Sequence, residues 1–316
     1  MRFLATVLLN VVACGPLDIA PGSATGESKT GDPARDAACL AGGCNVPGDL
    51  RLEFMEPVDI TPTGCTAIKS RAFALSQGSG SGEIIALTLA ACDGDRRLVA
   101  SRLLLDLDFS AAPVETRLAT SCQTAGLPVT SFDADSDGAG AVFYTFTCGS
   151  AARGFDIHAG RISIGAVTTP ERLITRVSTT NPDLAATRVT VNTATGLVAV
   201  TRVGAMHRLD FTGAPLGATV PVSGASPRDR IIPSGTSWVY LHRNDYGITS
   251  CSRVLREGIL ACSERYMNIS FADASISDSN VIFGIGTYGM QAGDFNPSAC
   301  SLLGGMSPWE SMGDGY

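Results

Sequence analysis

Residues 82–92 read GEIIALTLAAC, and four later stretches are built alike: GAVFYTFTC (140–148), GLVAVTR (196–202), SWVYLHR (237–243) and SNVIFGI (279–285). Each is a short run rich in Val, Ile, Phe, Tyr or Thr, the residues that suit a pleated, buried surface. Turn formers separate the runs: Asp93-Gly94, Cys148-Gly149-Ser150, Asn244-Asp245 and Glu257-Gly258. Short β-type runs punctuated in this way, from about residue 50 onward, predict an all-β body. The composition agrees. With 35 Gly and 16 Pro among 316 residues, long helices are disfavoured, and 45% hydrophobic residues exclude a disordered chain. A net charge of -7 argues against a nucleic-acid partner, which needs a basic stripe.

The runs repeat, and so do their surroundings. Leu107-Asp108-Phe109-Ser110-Ala111-Ala112-Pro113 matches Leu209-Asp210-Phe211-Thr212-Gly213-Ala214-Pro215 at five of seven positions. Cys65 and Cys92 recur as Cys122 and Cys148 at nearly the same spacing. The midpoint of the first pair falls at Gly78-Ser79, inside QGSGSG, and that of the second at Asp135, inside DADSDG. Both pairs are therefore expected to face each other across hairpins, as disulfides require. Cys251 and Cys262 flank SRVLREGILA and are read the same way, with Gly258 at the left-handed position of the turn. Cys39 and Cys44 (CLAGGC) are expected to close a local disulfide loop; a metal site is the alternative. Cys300 is left free or pairs with Cys39 or Cys44. Cysteine use on this scale fits an oxidising compartment.

Repeated four-stranded units resemble the blades of β-propellers, in architecture rather than in any blade signature. The resemblance implies a ring of about five or six four-stranded blades. Innermost strands are expected near 66–75, 128–133, 187–192, 229–234 and 269–276, with residues 50–58 offering a sixth closing strand. Ring closure would remove exposed edges. β-sandwich domains are the alternative.

Residues 1–13, MRFLATVLLNVVA, place one Arg before an apolar run too short to span a bilayer but suited to a signal peptide. Val11-Val12-Ala13-Cys14 resembles the lipobox of bacterial lipoproteins at all four positions. That resemblance implies cleavage before Cys14 and lipidation of its thiol. Gly15 rather than Asp at the second mature position points to the outer membrane of a Gram-negative envelope. Residues 14–49, rich in Gly, Pro, Ser and Thr, read as a flexible tether, and residues 50–316 as the propeller-like domain.

Sequence motifs for catalysis are lacking: no HExxH, GxSxG, P-loop or dinucleotide fingerprint occurs. The best chemical motif is Asp133-Ala134-Asp135-Ser136-Asp137-Gly138. It resembles the start of a D-x-D-x-D-G calcium loop, which would make Asp133, Asp135 and Asp137 ligands of a structural calcium. A polar hairpin turn is the plainer alternative. Turns between second and third strands share one face of a propeller. That face would gather Asp93, Asp95, Arg96, Arg97, Arg202, His242, Arg243, Asn244 and Asp245 as a ligand surface. His158 and His207 belong to third strands, and Trp238 to the core. These features lead to a non-enzymatic, lipid-anchored envelope protein that presents a propeller to a protein or glycan partner. A propeller hydrolase or lyase acting on an extracellular substrate is the alternative.

Overall fold

Asp-Gly and Gly-rich turns reverse the chain after each apolar run, and the runs pair with their sequence neighbours. The computed structural model describes residues 60–76, 82–104, 114–165, 171–222, 229–244, 247–255, 258, 260–269, 271–276, 281–286, 289–296, 301–302 and 307–308. Beyond His242 it describes side chains at only a few positions, Arg253 to Leu255 among them.

Five antiparallel sheets are present among the described residues. The first is β1 (Cys65–Ser76), β2 (Gly82–Cys92), β3 (Asp95–Leu104) and β4 (Val114–Leu118). A helical turn, α1 (Thr120–Thr124), leads to β5 (Val129–Ser136), β6 (Ala141–Ser150), β7 (Gly154–Ser163) and β8 (Arg172–Val177). The third sheet holds β9 (Arg188–Asn192), β10 (Leu197–Arg202), β11 (Ala205–Asp210) and β12 (Val220–Pro221). The fourth holds β13 (Arg230–Ser234), β14 (Ser237–Asn244), β15 (Gly247–Leu255) and β16 (Leu260–Ile269). The fifth holds β17 (Phe271–Ile276), β18 (Val281–Gly286), β19 (Gly289–Asn296) and β20 (Ser301–Leu302), with β21 (Ser307–Pro308) also paired to β19. The tail, which breaks the repeat in sequence, thus adds a short strand to the last sheet.

Apart from β21, strand order follows chain order in every sheet, and the first strands of successive sheets lie beside one another: β1 with β5, β5 with β9, β9 with β13, β13 with β17. That is the blade arrangement of a β-propeller. All five expected inner strands are found, as β1, β5, β9, β13 and β17, and the five apolar runs are the second strands of the five sheets.

Face-to-face packing explains why those runs are continuous rather than alternating. On β6, Val142, Tyr144 and Phe146 pack toward Ile85, Leu87 and Leu98 of the first sheet. The intervening Ala141 and Phe143 pack toward Val189, Val198 and Val200 of the third. β10 behaves alike: Val198 and Val200 face the second sheet, Leu197 and Ala199 the fourth. A strand buried on both faces needs no polar side. Side chains also latch blade to blade. Arg102 pairs with Glu83 at 3.1 Å and donates to the Ser163 carbonyl. Arg161 donates to the Phe211 carbonyl at 3.0 Å, and Thr190 to that of Ile231 at 2.9 Å.

The cysteines follow the expectation in part. Cys65 and Cys92 are directly opposite across β1 and β2 and form a disulfide. Cys122 and Cys148 are also bonded, but not across a hairpin. Cys148 faces Val129 in the ladder, while Cys122 sits on α1, outside the strands. The hairpin turns at 137–140, not at Asp135, because Gly138 supplies the positive φ there. The disulfide therefore clips the connection between the first two blades onto β6. β15 and β16 form the expected hairpin, with Gly258 at φ 85°. Its register sets Cys251 opposite Arg265 and Cys262 opposite Arg253, and the side chains of both cysteines lie outside the described residues. Cys14, Cys39, Cys44, Cys300 and residues 50–58 lie outside them too.

Candidate functional site

The side-by-side first strands bring together charges far apart in sequence. Lys69 and Arg71, two apart on β1, share one face of the strand. Asp133 lies on the adjacent β5 and Arg188 on β9. Asp133 is 3% exposed, and three cations converge on its Oδ1: Arg71 Nε at 2.8 Å, Lys69 Nζ at 3.6 Å and Arg188 Nη1 at 3.8 Å. Its other oxygen accepts from the Val189 backbone N–H at 3.2 Å. Lys69 Nζ also donates to the Phe132 carbonyl at 2.6 Å and lies 4.9 Å over the Phe132 ring centre. Burial lowers the Lys69 pKa; Asp133 opposes the shift, and the nearby Arg188 and Arg71 add to it. Asp135 accepts from Val191 N–H at 2.8 Å, yet its burial raises its pKa.

This geometry corrects the reading of Asp133-Ala134-Asp135-Ser136-Asp137-Gly138 as a loop. Asp133 and Asp135 lie within strand β5, whose extended backbone does not wrap a cation as a calcium loop does. Asp133 and Asp135 instead fasten the second blade to the first and third. Asp137 caps the following turn, its Oδ1 accepting from Ala139, Gly140 and Ala141 N–H at 3.0, 2.8 and 2.8 Å. Hydrogen-bonding to the turn backbone is an ordinary role for Asp.

The residues expected on one loop face come from the first, third and fourth blades. Asp93 and Gly94 both have positive φ, 49° and 83°, and form the two-residue turn of the β2–β3 hairpin. Asp95 follows, with Arg97 at 3.8 Å and Arg117 at 4.0 Å. Arg202, on the third blade, donates to the Val203 carbonyl at 2.9 Å. His242 corrects the expectation: it is 3% exposed, inside the fourth blade rather than on its face. Its Nδ1 lies 3.2 Å from Oδ2 of the buried Asp229, and its ring lies 5.1 Å from that of Tyr240. His242 lies in the second strand, as expected, but β14 runs on to Asn244 and keeps it short of the turn. Asp245 and the side chains of Arg243 and Asn244 lie outside the described residues.

The other two histidines are built into strands as expected. His158 stacks on Phe146, with ring centres 5.0 Å apart and planes at 2°. Burial lowers its pKa, against the pull of Asp156. Cys122, Cys148 and His158 offer ligand atoms within 4.8 Å of one another, but the two sulfurs are bonded to each other rather than available as thiolates. His207 lies 3.3 Å from Thr219 Oγ1. Its pKa is lowered to about 4, first by burial and then by the Arg202 charge.

A pH dependence follows from His207. The unfolded imidazole takes a proton near pH 6.5, the folded one only near pH 4. Between these values the unfolded state binds more protons, so stability falls as pH drops through the window. Thermal melts of wild type and His207→Gln from pH 4 to 7 should show a shallower loss in the variant. Parallel curves would rule out His207 as the source.

Sequence reasoning missed Lys69, Arg71, Arg188 and Asp229. A usable signal exists for the first two: charges at alternate positions (Lys69-Ser70-Arg71) in a strand expected to lie innermost. No local pattern pairs them with Asp133.

Fold and contacts together define a disulfide-braced, all-β, propeller-like protein whose inner strands carry a charged cluster. No protein-family model matches the chain. No curated protein matches it. Among solved structures, the chain is similar to a HIRA fragment, residues 644–1017, at 12% identity and a TM-score of 0.35, covering 56% of this chain and 54% of that one. It is similar to prolyl oligopeptidase B from Galerina marginata at 8% identity and a TM-score of 0.43, covering 78% of this chain and 36% of that one. Hsv2 from Kluyveromyces lactis is similar at 10% identity and a TM-score of 0.35, covering 72% of this chain and 76% of that one. The chain thus spans about half of the first of these and about a third of the second.

Proposed function

We propose that this chain is a non-enzymatic, lipid-anchored protein of the cell envelope whose propeller presents a binding platform to a protein or glycan. The observation that carries the non-enzymatic part is where the reactive side chains are used. His242 with Asp229, His158 against Phe146, and Asp133 with its three cations all sit within or between blades as fasteners. Groups committed to holding sheets together make a rigid scaffold, and turns carried on rigid scaffolds are where binding residues concentrate. The anchor rests on Val11-Val12-Ala13-Cys14. Several acyl chains on one cysteine would bury enough CH₂ groups for stable attachment.

Cys14→Ser tests the anchor. The variant is expected to lose palmitate labelling and to leave the membrane fraction for the soluble envelope fraction. A variant that still pellets with membranes would place the anchor elsewhere. Cross-linking on intact cells then tests the platform, with one reproducible partner expected. Turnover of a glycan or peptide substrate by the purified chain, abolished by His242→Gln, would instead support a hydrolase or lyase.

A further inference from the structure

We propose that Cys122, Cys148 and His158 form a zinc site once the disulfide between the two cysteines is reduced. This goes beyond the platform reading and depends on neither the partner nor the lipid anchor. Three observations carry it. First, the sheet holds the ligand set together. Phe146 and His158 are direct partners in the β6–β7 ladder, and Cys148, two residues beyond Phe146, lies on the same face of β6. Two of the three ligands therefore stand on paired strands, and α1 brings Cys122 to them. One ligand atom from each residue lies within 4.8 Å of the others, and no other such trio of cysteine, histidine or carboxylate groups occurs among the described residues. Second, the imidazole is buried and unused. His158 is 9% exposed, and neither ring nitrogen has a hydrogen-bond partner among the described residues; Thr145 Oγ1 donates only to its backbone carbonyl. Buried polar groups ordinarily find a partner, because removing water from them without replacement is costly. Third, both cysteines are 1% exposed and belong to one apolar cluster, so thiols released there stay beside the imidazole and away from solvent.

Two thiolates and an imidazole are a zinc ligand set, and soft sulfur disfavours calcium and magnesium. The electrons come from a dithiol reductant. By thiol–disulfide exchange it leaves as a disulfide itself, and the two electrons and two protons it gives up turn the Cys122–Cys148 bond into two thiols. Zinc binds both as thiolates, displacing their two protons, and takes the lone pair of the neutral His158 imidazole; water completes the fourth position. The Cα atoms of the cysteines are 5.9 Å apart and α1 lies outside the strand ladders, so the sulfurs can part to the roughly 3.8 Å of tetrahedral zinc without breaking a sheet. The metal then closes the same separation of 26 residues that the disulfide closes. Reduction thus exchanges one clip between the first two blades for another.

The test is thiol alkylation of the full chain in a neutral detergent, with each cysteine read by peptide mass spectrometry. A phosphine, oxidised to its oxide, reduces the disulfides and offers the metal no thiol of its own. Zinc at about ten times Kd is expected to slow alkylation of Cys122 and Cys148 about tenfold. His158→Gln, and His158→Phe, which keeps the stack on Phe146 without a ligand nitrogen, should each weaken zinc binding at least about tenfold. No zinc protection of Cys122 and Cys148 in wild type, equal protection in wild type and both His158 variants, or the same protection at Cys65 and Cys92 overturns the proposal. If neither variant folds, the contrast in wild type between Cys122 with Cys148 and Cys65 with Cys92 decides. If reduction unfolds the chain, zinc is expected to restore the folded signal in wild type and not in His158→Phe; no recovery, or equal recovery in both, overturns the proposal. None of these outcomes bears on the Cys14→Ser experiment.

Discussion

Trp238→Ala is expected to destabilise the protein by about 3–5 kcal/mol. Trp238 is 0% exposed on β14, opposite Pro233 on one side and Val254 on the other. It belongs to the cluster that joins Leu197, Ala199, Met206 and Val220 of the third blade to Ile231, Tyr240 and Val254 of the fourth. Truncation removes the largest buried side chain of that interface and leaves a void between two sheets that cannot collapse without shifting their ladders. For a body of this size the loss corresponds to a fall in Tm on the order of 10 °C. Trp238→Phe separates volume from polarity. The indole Nε1 is buried without a hydrogen-bond partner among the described residues, so phenylalanine sacrifices no such bond to them. Its cost should be well below that of the alanine variant, because far less volume is lost. Urea melts of the two variants give the comparison. A loss below about 1 kcal/mol for Trp238→Ala would mean that the third and fourth blades are not packed as described.

Loss of the second disulfide should be nearly as severe. The double replacement Cys122→Ala and Cys148→Ala is expected to cost about 3 kcal/mol, from the loop-closure entropy of a 26-residue separation. Both cysteines are buried, so small voids add to the cost. Replacing Cys65 and Cys92 opens a loop of similar size, with a separation of 27, and serves as the comparison. The bond at Cys65 closes a hairpin that is already laddered, whereas the bond at Cys122 fastens a helical turn that lies outside the strand ladders. The second loss should therefore loosen the connection between the first two blades specifically. Proteolysis at 119–128 should accelerate in the Cys122/Cys148 variant and not in the other. Non-reducing peptide mapping of wild type should return Cys65 linked to Cys92 and Cys122 linked to Cys148; crossed links would overturn both expectations.

Particular residues show why some of this was readable in advance. The second strands are apolar on both faces because each lies between two neighbouring blades, and that burial leaves a continuous run in the sequence. The turn at Asp93-Gly94 is legible because two successive positive φ values select those residues. Cys65 and Cys92 obey hairpin arithmetic because both lie on strands. Cys122 misled the same arithmetic: equal spacing does not reveal that one partner has left the sheet for a helical turn. His242 misled in another way: its place in a strand was legible, but its burial beside Asp229 was not.

By itself the sequence determined the local elements: strand after strand, most of the turns between them and the all-β class; which strands lie innermost came with the propeller resemblance. Each depends on side-chain period and backbone preference within about ten residues. Only the tertiary structure decided which charges meet. Lys69, Arg71, Asp133 and Arg188 come from three sheets, and their separation in the chain exceeds the range of any local pattern. They become neighbours because apolar faces pack blade on blade and bring the first strands together. That non-directional force leaves no mark at the charged positions themselves. The same packing turned the DADSDG segment from an expected loop into an inter-blade fastener and drew His242 inside.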